Sequence, residues 1–369
     1  MGFVQVPCSW KFGSRMMVWW LLCVFMIMAG LMSCDGTVRL SPNMTAAGIF
    51  AFGDSIVDQG NNNVMRTIVK CNFPPYGKDF QGGVPTGRFS NGRTPPDFVA
   101  EALGIATMIP AYLDPSLTIK DFTKGVSFAS GGCGYDPQTA QLVSVTSLTD
   151  QLEQFKDYVW KLKGAVGEEA ANNILNSSIH LVVAGSDDLA NTYFTIGIRR
   201  RQYDVTSYAD LVVSSASTFI QQLYLVGARK IAVFGVPPIG CLPAQRTLAG
   251  GSTRACVEEY NKAAQIVNAK LAPALDSLTQ SLPQSRVVYI DVYNPLLDLI
   301  QHPQKYGFEV SDIGCCGTGK IEAVVLCNQY SGTCADDSKY IFWDSYHPTE
   351  KAYKFLVDQI VQKYANKFL

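Results

Sequence analysis

The sequence has few histidines and almost no net charge. Three histidines occur in 369 residues, and no Cys-x-x-Cys pair or Cys/His cluster has the spacing of a metal site. We therefore expect no bound metal and no organic cofactor. Thirty basic residues against 31 acidic ones leave a net charge of -1, which gives no electrostatic basis for binding nucleic acid. With 47% hydrophobic and 17% charged residues, the chain can bury a substantial core, which argues against disorder.

Long apolar runs are missing from the chain except near its N-terminus. There, two basic residues precede an almost unbroken apolar run over residues 16–32, which is typical of a secretory signal peptide. We expect the signal peptide to span residues 1–36, followed by a short segment over 37–46 and a single domain over 47–369. An uncleaved membrane anchor is the alternative, because about 17 apolar residues approach the length of a membrane span. After signal removal we expect no membrane span and an extracellular location, with the cell wall as one destination.

The cysteine count agrees with export. Of 11 cysteines, Cys8 and Cys23 would leave with the signal peptide, and Cys34 lies at its edge. An even number remains, which suits disulfide bonds in an oxidising compartment, although the sequence leaves their connectivity open. These eight are Cys71, Cys133, Cys241, Cys256, Cys315, Cys316, Cys327 and Cys334. Asn43 and Asn176 begin Asn-x-Ser/Thr triplets, so both are glycosylation acceptors if the protein follows a eukaryotic secretory route.

Alternating element types predict the fold. Short apolar runs rich in β-branched and aromatic residues indicate strands at residues 49–52, 126–128, 180–184, 230–234 and 286–290. Longer amphipathic stretches indicate helices between and after them, at residues 148–162, 208–226, 256–278 and 350–368. Strands that are apolar on both faces and separated by helices form parallel sheets covered on both sides. We predict a three-layer α/β/α fold with a central, mainly parallel five-stranded sheet.

Polar, glycine-containing loops follow the first three predicted strands. The first strand runs into Gly53-Asp54-Ser55, the second into the segment 129–134, and the third into the segment 185–188. Ligands of open parallel sheets bind at the carboxyl ends of the strands, so these loops should meet at one edge.

A serine in such a loop needs a base before it can act as a nucleophile. His347 is the best candidate, because Asp344 lies three residues earlier and can hydrogen-bond one ring nitrogen. Pro348 favours an extended His347 and suits the first turn of a following helix. A solitary Asp-x-x-His is more often only a helix-start turn, and Ser55 is what makes the pair chemically interesting. Gly-x-Ser-x-Gly does not occur in the sequence, so the nucleophile elbow of α/β-hydrolases is not supported.

Taken together, five blocks in this order resemble the GDSL esterase/lipase family of the SGNH hydrolase superfamily, in its plant secreted form. The similarity covers nearly everything after about residue 47, and it implies a flavodoxin-like fold. The blocks are Gly53-Asp54-Ser55 with its Asn-rich extension, Gly87-Arg88-Phe89-Ser90-Asn91-Gly92-Arg93, Gly125-Val126-Ser127-Phe128-Ala129-Ser130-Gly131-Gly132, Val182-Val183-Ala184-Gly185-Ser186-Asp187-Asp188 and Asp344-Ser345-Tyr346-His347-Pro348.

The resemblance implies Ser55 as nucleophile, His347 as general base and acid, and Asp344 as the carboxylate that orients the histidine. It implies an oxyanion hole made of the Ser55 and Gly132 backbone N–H groups and a side chain of the third loop. The family usually has asparagine where this chain has Asp187, and an ionised carboxylate cannot donate a hydrogen bond. Two explanations stay open: Asp187 is held neutral and donates through its hydroxyl, or it points away and the backbone donors suffice.

The expected function is that of a secreted serine esterase or lipase. Its substrates would be carboxylic esters of lipids, small molecules or wall polymers, cleaved through an acyl-enzyme. An acyltransferase that uses the same site is one alternative, and a lipid- or carbohydrate-binding homologue without turnover is another. Among the other polar residues we expect His180 to be structural, His302 to lie in a turn, and Arg199-Arg200-Arg201 to form a solvated face. Asp54 adjoins Ser55 too closely in sequence to be its triad acid.

Overall fold

A parallel sheet of four strands forms the centre of the protein. The computed structural model describes residues 46–317 and 327–368, so the predicted signal peptide and the Asn43 acceptor lie outside the described residues. The strands are β1 (Ile49–Gly53), β2 (Ile179–Val183), β3 (Lys230–Phe234) and β4 (Arg286–Ile290), in the order β1-β2-β3-β4. All three strand pairs are parallel. Four of the predicted strands are thus confirmed within a residue or so.

The predicted strand at residues 126–128 is wrong as a regular strand. Its backbone does lie along β1, where Phe128 N–H donates to the Ala51 carbonyl and Ala51 N–H donates to the Val126 carbonyl. It forms only isolated bridges, to Ala51 of β1 on one side and to Ala111 on the other. The sheet thus has four regular strands and an irregular fifth position.

Helices occupy the connections between the strands. In chain order they are α1 (Pro95–Ala102), α2 (Ile119–Phe122), α3 (Pro137–Val143), α4 (Leu148–Val166), α5 (Glu168–Ser177), a π-helix (Asp188–Thr195), α6 (Val205–Val226), α7 (Pro243–Ala249), α8 (Glu258–Ser281), α9 (Tyr293–Gln301) and α10 (Glu350–Tyr364). Among the described residues, no helix combines the length and apolarity needed to cross a membrane.

The two faces of β1 show why the fold has three layers. Alternate side chains of a strand point to opposite faces, and both sets are buried here. Phe52 packs its ring 5.2 Å from Phe155 of α4 and 5.8 Å from Phe219 of α6. Ile49 and Ala51 belong instead to a second buried cluster, together with residues of α1 and α10. The predicted α/β/α arrangement is confirmed.

A second, two-stranded parallel sheet lies next to the last helix, and the sequence analysis did not foresee it. It pairs β5 (Val310–Gly314) with β6 (Tyr340–Phe342). Disulfide bonds Cys315–Cys334 and Cys316–Cys327 adjoin this sheet, and a third joins Cys241 to Cys256.

Six of the eight cysteines of the domain form these disulfide bonds, which confirms the prediction of disulfides, and two do not. Cys71 and Cys133 are buried free thiols. The Cys71 thiol donates to the Gly87 carbonyl at 2.9 Å, and burial raises its pKa well above the usual range. Both therefore act as small core side chains that keep their protons.

Candidate active site

Ser55 lies in a tight turn directly after β1. Gly53 has a φ of +128°, and a side chain there would collide with the Val183 carbonyl of β2. The carboxamide of Gln151 clamps the Gly53 peptide, since it accepts from Gly53 N–H at 2.8 Å and donates to the Gly53 carbonyl at 3.0 Å. Asp54 accepts from the Ile56 N–H at 3.0 Å. Its carboxyl closes the turn, and Ser55 is left at the edge of the sheet.

His347 lies in a turn between β6 and α10. Asp344 builds that turn, because its Oδ1 accepts from the backbone N–H groups of Tyr346 at 2.8 Å and His347 at 2.7 Å. Ring atom Nδ1 of His347 is 2.8 Å from Asp344 Oδ2, and ring atom Nε2 is 2.8 Å from Ser55 Oγ. A nitrogen that faces a carboxylate carries the proton, so Nε2 is left to accept from the serine hydroxyl. The structure thus brings Ser55, His347 and Asp344 into one hydrogen-bonded chain.

Tyr76 is a partner that the sequence analysis missed. Its buried hydroxyl donates to Asp344 Oδ2 at 2.7 Å, across 268 positions of sequence. Burial alone would raise the pKa of Asp344, but the facing His347 and the hydrogen bonds it accepts hold that pKa below its usual range. The carboxylate therefore stays ionised and orients the ring. Tyr76 lies in a loop without regular structure, so no local pattern in the sequence signals its role.

The loop that contains Gly132 is held beside Ser55 by the Asn-rich stretch. Asn62 donates to the Gly131 carbonyl at 3.0 Å, and Asn61 donates to the Ala129 carbonyl at 2.7 Å. Asp58 accepts from the Gly131 N–H at 2.9 Å. Gly132 itself has a φ of +87°, a conformation that favours glycine, and it lines the same cavity as Ser55. The extension that follows the serine in sequence thus positions the second loop.

The third loop is tied to the second by Asp188. This buried carboxyl accepts from the N–H groups of Tyr135 at 2.8 Å and Asp136 at 3.0 Å, and from the Thr139 hydroxyl at 2.7 Å. Burial raises the pKa of Asp188 to about 7 although these donors oppose the rise. The polar loops predicted to meet at one sheet edge do so through such side chain contacts.

Asp187 lines the cavity together with Ser55 and His347. Its Oδ1 accepts from Asn191 Nδ2 at 2.6 Å, and the side chain is partly exposed. Burial raises the pKa of Asp187 to about 6, while a charged His347 and the Asn191 hydrogen bond oppose that rise. A carboxyl with this pKa gains or loses its proton slightly below neutral pH. Asn191 is a further residue that sequence reasoning missed.

The cavity has a volume of about 450 Å³ and is lined mainly by apolar side chains. Ile68 lies along it and is largely exposed, and Leu142 and Ile196 lie along it with more than a third of their surface exposed. Across the described residues, no group of three or more His, Cys, Asp or Glu side chains is placed to hold a metal ion. A serine activated by a histidine and a carboxylate, beside an apolar cavity, can attack an ester carbonyl.

The remaining polar residues singled out in the sequence have structural roles, and one of the predictions made for them is wrong. His180 is buried against the rings of Phe50 and Phe155, and burial lowers its pKa to about 4. The prediction that the arginine run is a solvated face is wrong for Arg199, which forms a two-point ion pair with the buried Asp136 at 2.6 and 2.8 Å. The ion pair exists because Asp136, at the start of α3 and 63 positions earlier in sequence, brings a buried carboxylate to the turn that contains Arg199.

Comparisons with known proteins show which family and which relatives the chain resembles. The family model GDSL-like lipase/acylhydrolase matches residues 49–360. The protein GDSL esterase/lipase EXL3 of Arabidopsis thaliana is 53% identical over 363 residues, which are 98% of this chain and 97% of that protein. Another GDSL esterase/lipase of the same plant is 56% identical over 335 residues, 90% of each chain. The solved structure of a catalytic mutant of Axe2, an acetylxylan esterase from Geobacillus stearothermophilus, aligns with a TM-score of 0.39 at 9% identity, over 87% of this chain and 94% of that one. That score is too low to support an argument.

Proposed function

The chain belongs to the GDSL-like lipase/acylhydrolase family and is a carboxylic ester hydrolase, and on that premise we propose that Ser55 is its nucleophile. His347 is the general base and acid, and Asp344 orients the ring and stabilises the imidazolium. Two distances carry this proposal. His347 Nε2 lies 2.8 Å from Ser55 Oγ, and Nδ1 of the same ring lies 2.8 Å from Asp344 Oδ2.

The reaction proceeds through an acyl-enzyme. Ser55 Oγ forms a bond to the ester carbonyl carbon as its proton moves to His347 Nε2. The tetrahedral intermediate then expels the alcohol, which takes that proton. Water, deprotonated by the same ring nitrogen, attacks the acyl carbon, and the carboxylic acid leaves as the Ser55 oxygen regains a proton. Every bond and proton in these two steps is accounted for without a redox or metal-dependent step.

The oxyanion hole is proposed to combine the backbone N–H groups of Ser55 and Gly132 with the side chain of Asp187. A neutral Asp187 would donate through its hydroxyl, which its raised pKa supports. Removing one preorganised donor of this kind costs about 2.7 to 4 kcal/mol of barrier in other hydrolases. We also propose that the protein is secreted, which the three disulfide bonds among the described residues support.

Purified protein and Ser55→Ala, assayed with p-nitrophenyl esters of graded acyl length, test the proposal. We expect the variant to lose at least about 10³-fold in kcat. Ser214→Ala, at an exposed position of α6, is the matched control and should keep the wild-type rate. A fluorophosphonate should add one adduct mass to wild type and the control but none to Ser55→Ala. Equal rates for wild type and Ser55→Ala would remove this serine from the role of nucleophile.

Product analysis separates hydrolysis from acyl transfer. Added acceptor alcohols should leave the released acid as the main product if water is the natural acceptor. A transesterified ester as main product at modest alcohol concentration would identify an acyltransferase with the same nucleophile.

A further inference from the structure

A directed chain of hydrogen bonds ends at Asp187. Gln245 Nε2 lies 3.2 Å from the Tyr346 hydroxyl oxygen, and that hydroxyl lies 3.1 Å from Asn191 Oδ1. An amide nitrogen only donates, so the tyrosine oxygen accepts from Gln245 and its single proton goes to Asn191. Burial and the nearby Asp187 raise the pKa of Tyr346 far above neutrality, so this proton stays in place. In the structure the chain therefore runs from Gln245 through Tyr346 and Asn191 to Asp187.

The chain also fixes which oxygen of Asp187 can carry a proton. Because Tyr346 holds Asn191 Oδ1, the amide nitrogen of Asn191 faces Asp187 and donates to its Oδ1 at 2.6 Å. The carbonyl oxygen of a neutral carboxyl is its better acceptor, so a neutral Asp187 with this bond at Oδ1 carries its proton on Oδ2. Asp187 and Asn191 are four residues apart on one helical face, and both line the cavity that contains Ser55.

From this geometry we infer that Asn191 and Tyr346 are positioning residues that hold Asp187 so that its Oδ2 hydroxyl donates to the oxyanion. The inference rests on the proposed function. It adds the residues that orient the Asp187 hydroxyl. The same residues set the pH above which Asp187 loses its proton and no longer donates. The amide that the family usually carries at position 187 is here one helical turn later, where it orients a carboxyl.

The charges around Asp187 decide which form the active enzyme holds. Three other titratable groups lie near it: Asp54 at the end of β1, the Cys133 thiol of the second loop and the Tyr346 hydroxyl. Burial raises the pKa of each of these groups, so each favours its protonated form, and the burial of Asp187 itself favours a neutral carboxyl. A protonated His347 would favour the ionised form, but the ring must be neutral to accept the serine proton. The state that is ready to attack is thus also the state in which Asp187 keeps its proton most easily.

Loss of Asn191 has two effects that a purely structural role would not combine. The carboxyl loses its orientation, so the maximal kcat/KM falls. The ionised form also loses a hydrogen bond that stabilises it, so the pKa of Asp187 rises and the alkaline limb of the pH profile moves to higher pH. Tyr346→Phe should act in the same direction, because the Asn191 amide is then free to turn over.

The test measures kcat/KM for p-nitrophenyl butyrate from about pH 4 to about pH 9. Asn191→Ala and Tyr346→Phe should each lower the maximum by about tenfold and move the alkaline limb upward by roughly half a pH unit or more. Asn294→Ala is the control: it removes a similar amide donor, which bonds Asp291 Oδ2 at 2.8 Å outside the cavity. It should change neither quantity, and thermal unfolding should identify any variant that fails to fold.

Two outcomes separate this inference from the proposed function. If activity depends on Ser55 but neither variant moves the alkaline limb, the inference is overturned and the proposed function stands. Tyr346→Phe keeps the ring and hence the packing, so it decides the matter even if Asn191→Ala does not fold. Activity that survives Ser55→Ala would overturn both.

Discussion

Replacement of Asp187 by asparagine is the sharpest test of the proposed oxyanion hole. The change is nearly isosteric and removes only the charge that an ionised carboxyl would place beside the developing oxyanion. Asn191 donates to one oxygen of Asp187 at 2.6 Å, and the same bond should hold the carbonyl oxygen of the new amide. The new amide nitrogen then takes the place of Oδ2 and donates at every pH.

The pKa of about 6 for Asp187 sets the size of the effect. At pH 7.5 the carboxyl is about 1.5 units above that value, so only about 3% of the molecules hold the neutral form. If the neutral form alone is active, Asp187→Asn should raise kcat/KM by about 30-fold at pH 7.5 and leave it within about twofold at pH 5. The direction of this rate change follows from the chemistry of the carboxyl group. A carboxyl donates a hydrogen bond below its pKa and repels an oxyanion above it.

Initial rates with p-nitrophenyl butyrate at these two pH values are sufficient for the assay. Asp210→Asn is the control, since that exposed carboxylate pairs with Lys270 away from the cavity, and it should change neither rate. A rate for Asp187→Asn that equals wild type at both pH values would mean that Asp187 points away and the backbone donors suffice. A tenfold or greater loss at pH 7.5 would refute the reasoning outright, because it would require an ionised Asp187 in catalysis.

Three further predictions concern the supports of the site. Gly132→Ala forces an alanine into a φ of +87° and should lower kcat at least about tenfold with little change in substrate binding, as steady-state kinetics would record. Tyr76→Phe removes a buried donor from Asp344 and should lower the free energy of unfolding in urea by about 1.5 to 3 kcal/mol at pH 7. Because the pKa of Asp344 is depressed, that difference should shrink as the pH falls through it. Arg199→Ala leaves a buried carboxylate unpaired and should cost about 3 kcal/mol of unfolding free energy, whereas Arg200→Ala, at an exposed ion pair, should cost less than about 1 kcal/mol.

The strands were predictable because their sequence pattern is local. Residues 230–234 and 286–290 form short apolar runs bounded by polar residues, and the structure has β3 and β4 at these positions. Residues 126–128 have a similar composition but form only isolated bridges, to Ala51 on one side and to Ala111 on the other. Composition reports whether a segment suits a buried strand, but it does not report which backbone the segment will meet.

The supports of the site could not be predicted for the same reason. Tyr76 and Asp344 are 268 positions apart, and Asn191 and Tyr346 are 155 positions apart. Neither pair has a helical or strand spacing that would bring it together. Ser55, Asp344 and His347 could be selected because their residue types limit the chemistry, whereas a tyrosine or asparagine occurs in too many structural roles to be singled out.

Asp344 both stabilises the turn that contains His347 and hydrogen-bonds the ring of that histidine. Its Oδ1 accepts two backbone N–H groups of the turn that carries His347, and Oδ2 accepts the Tyr76 hydroxyl while also facing the ring. The same turn is closed by the Trp343 N–H, which donates to the His347 carbonyl at 2.7 Å. A variant without this carboxylate therefore loses the conformation of the turn together with the partner of the imidazolium in the proposed mechanism. The rate that such a variant loses measures both effects, because the ring is placed by the same oxygens that stabilise its charge.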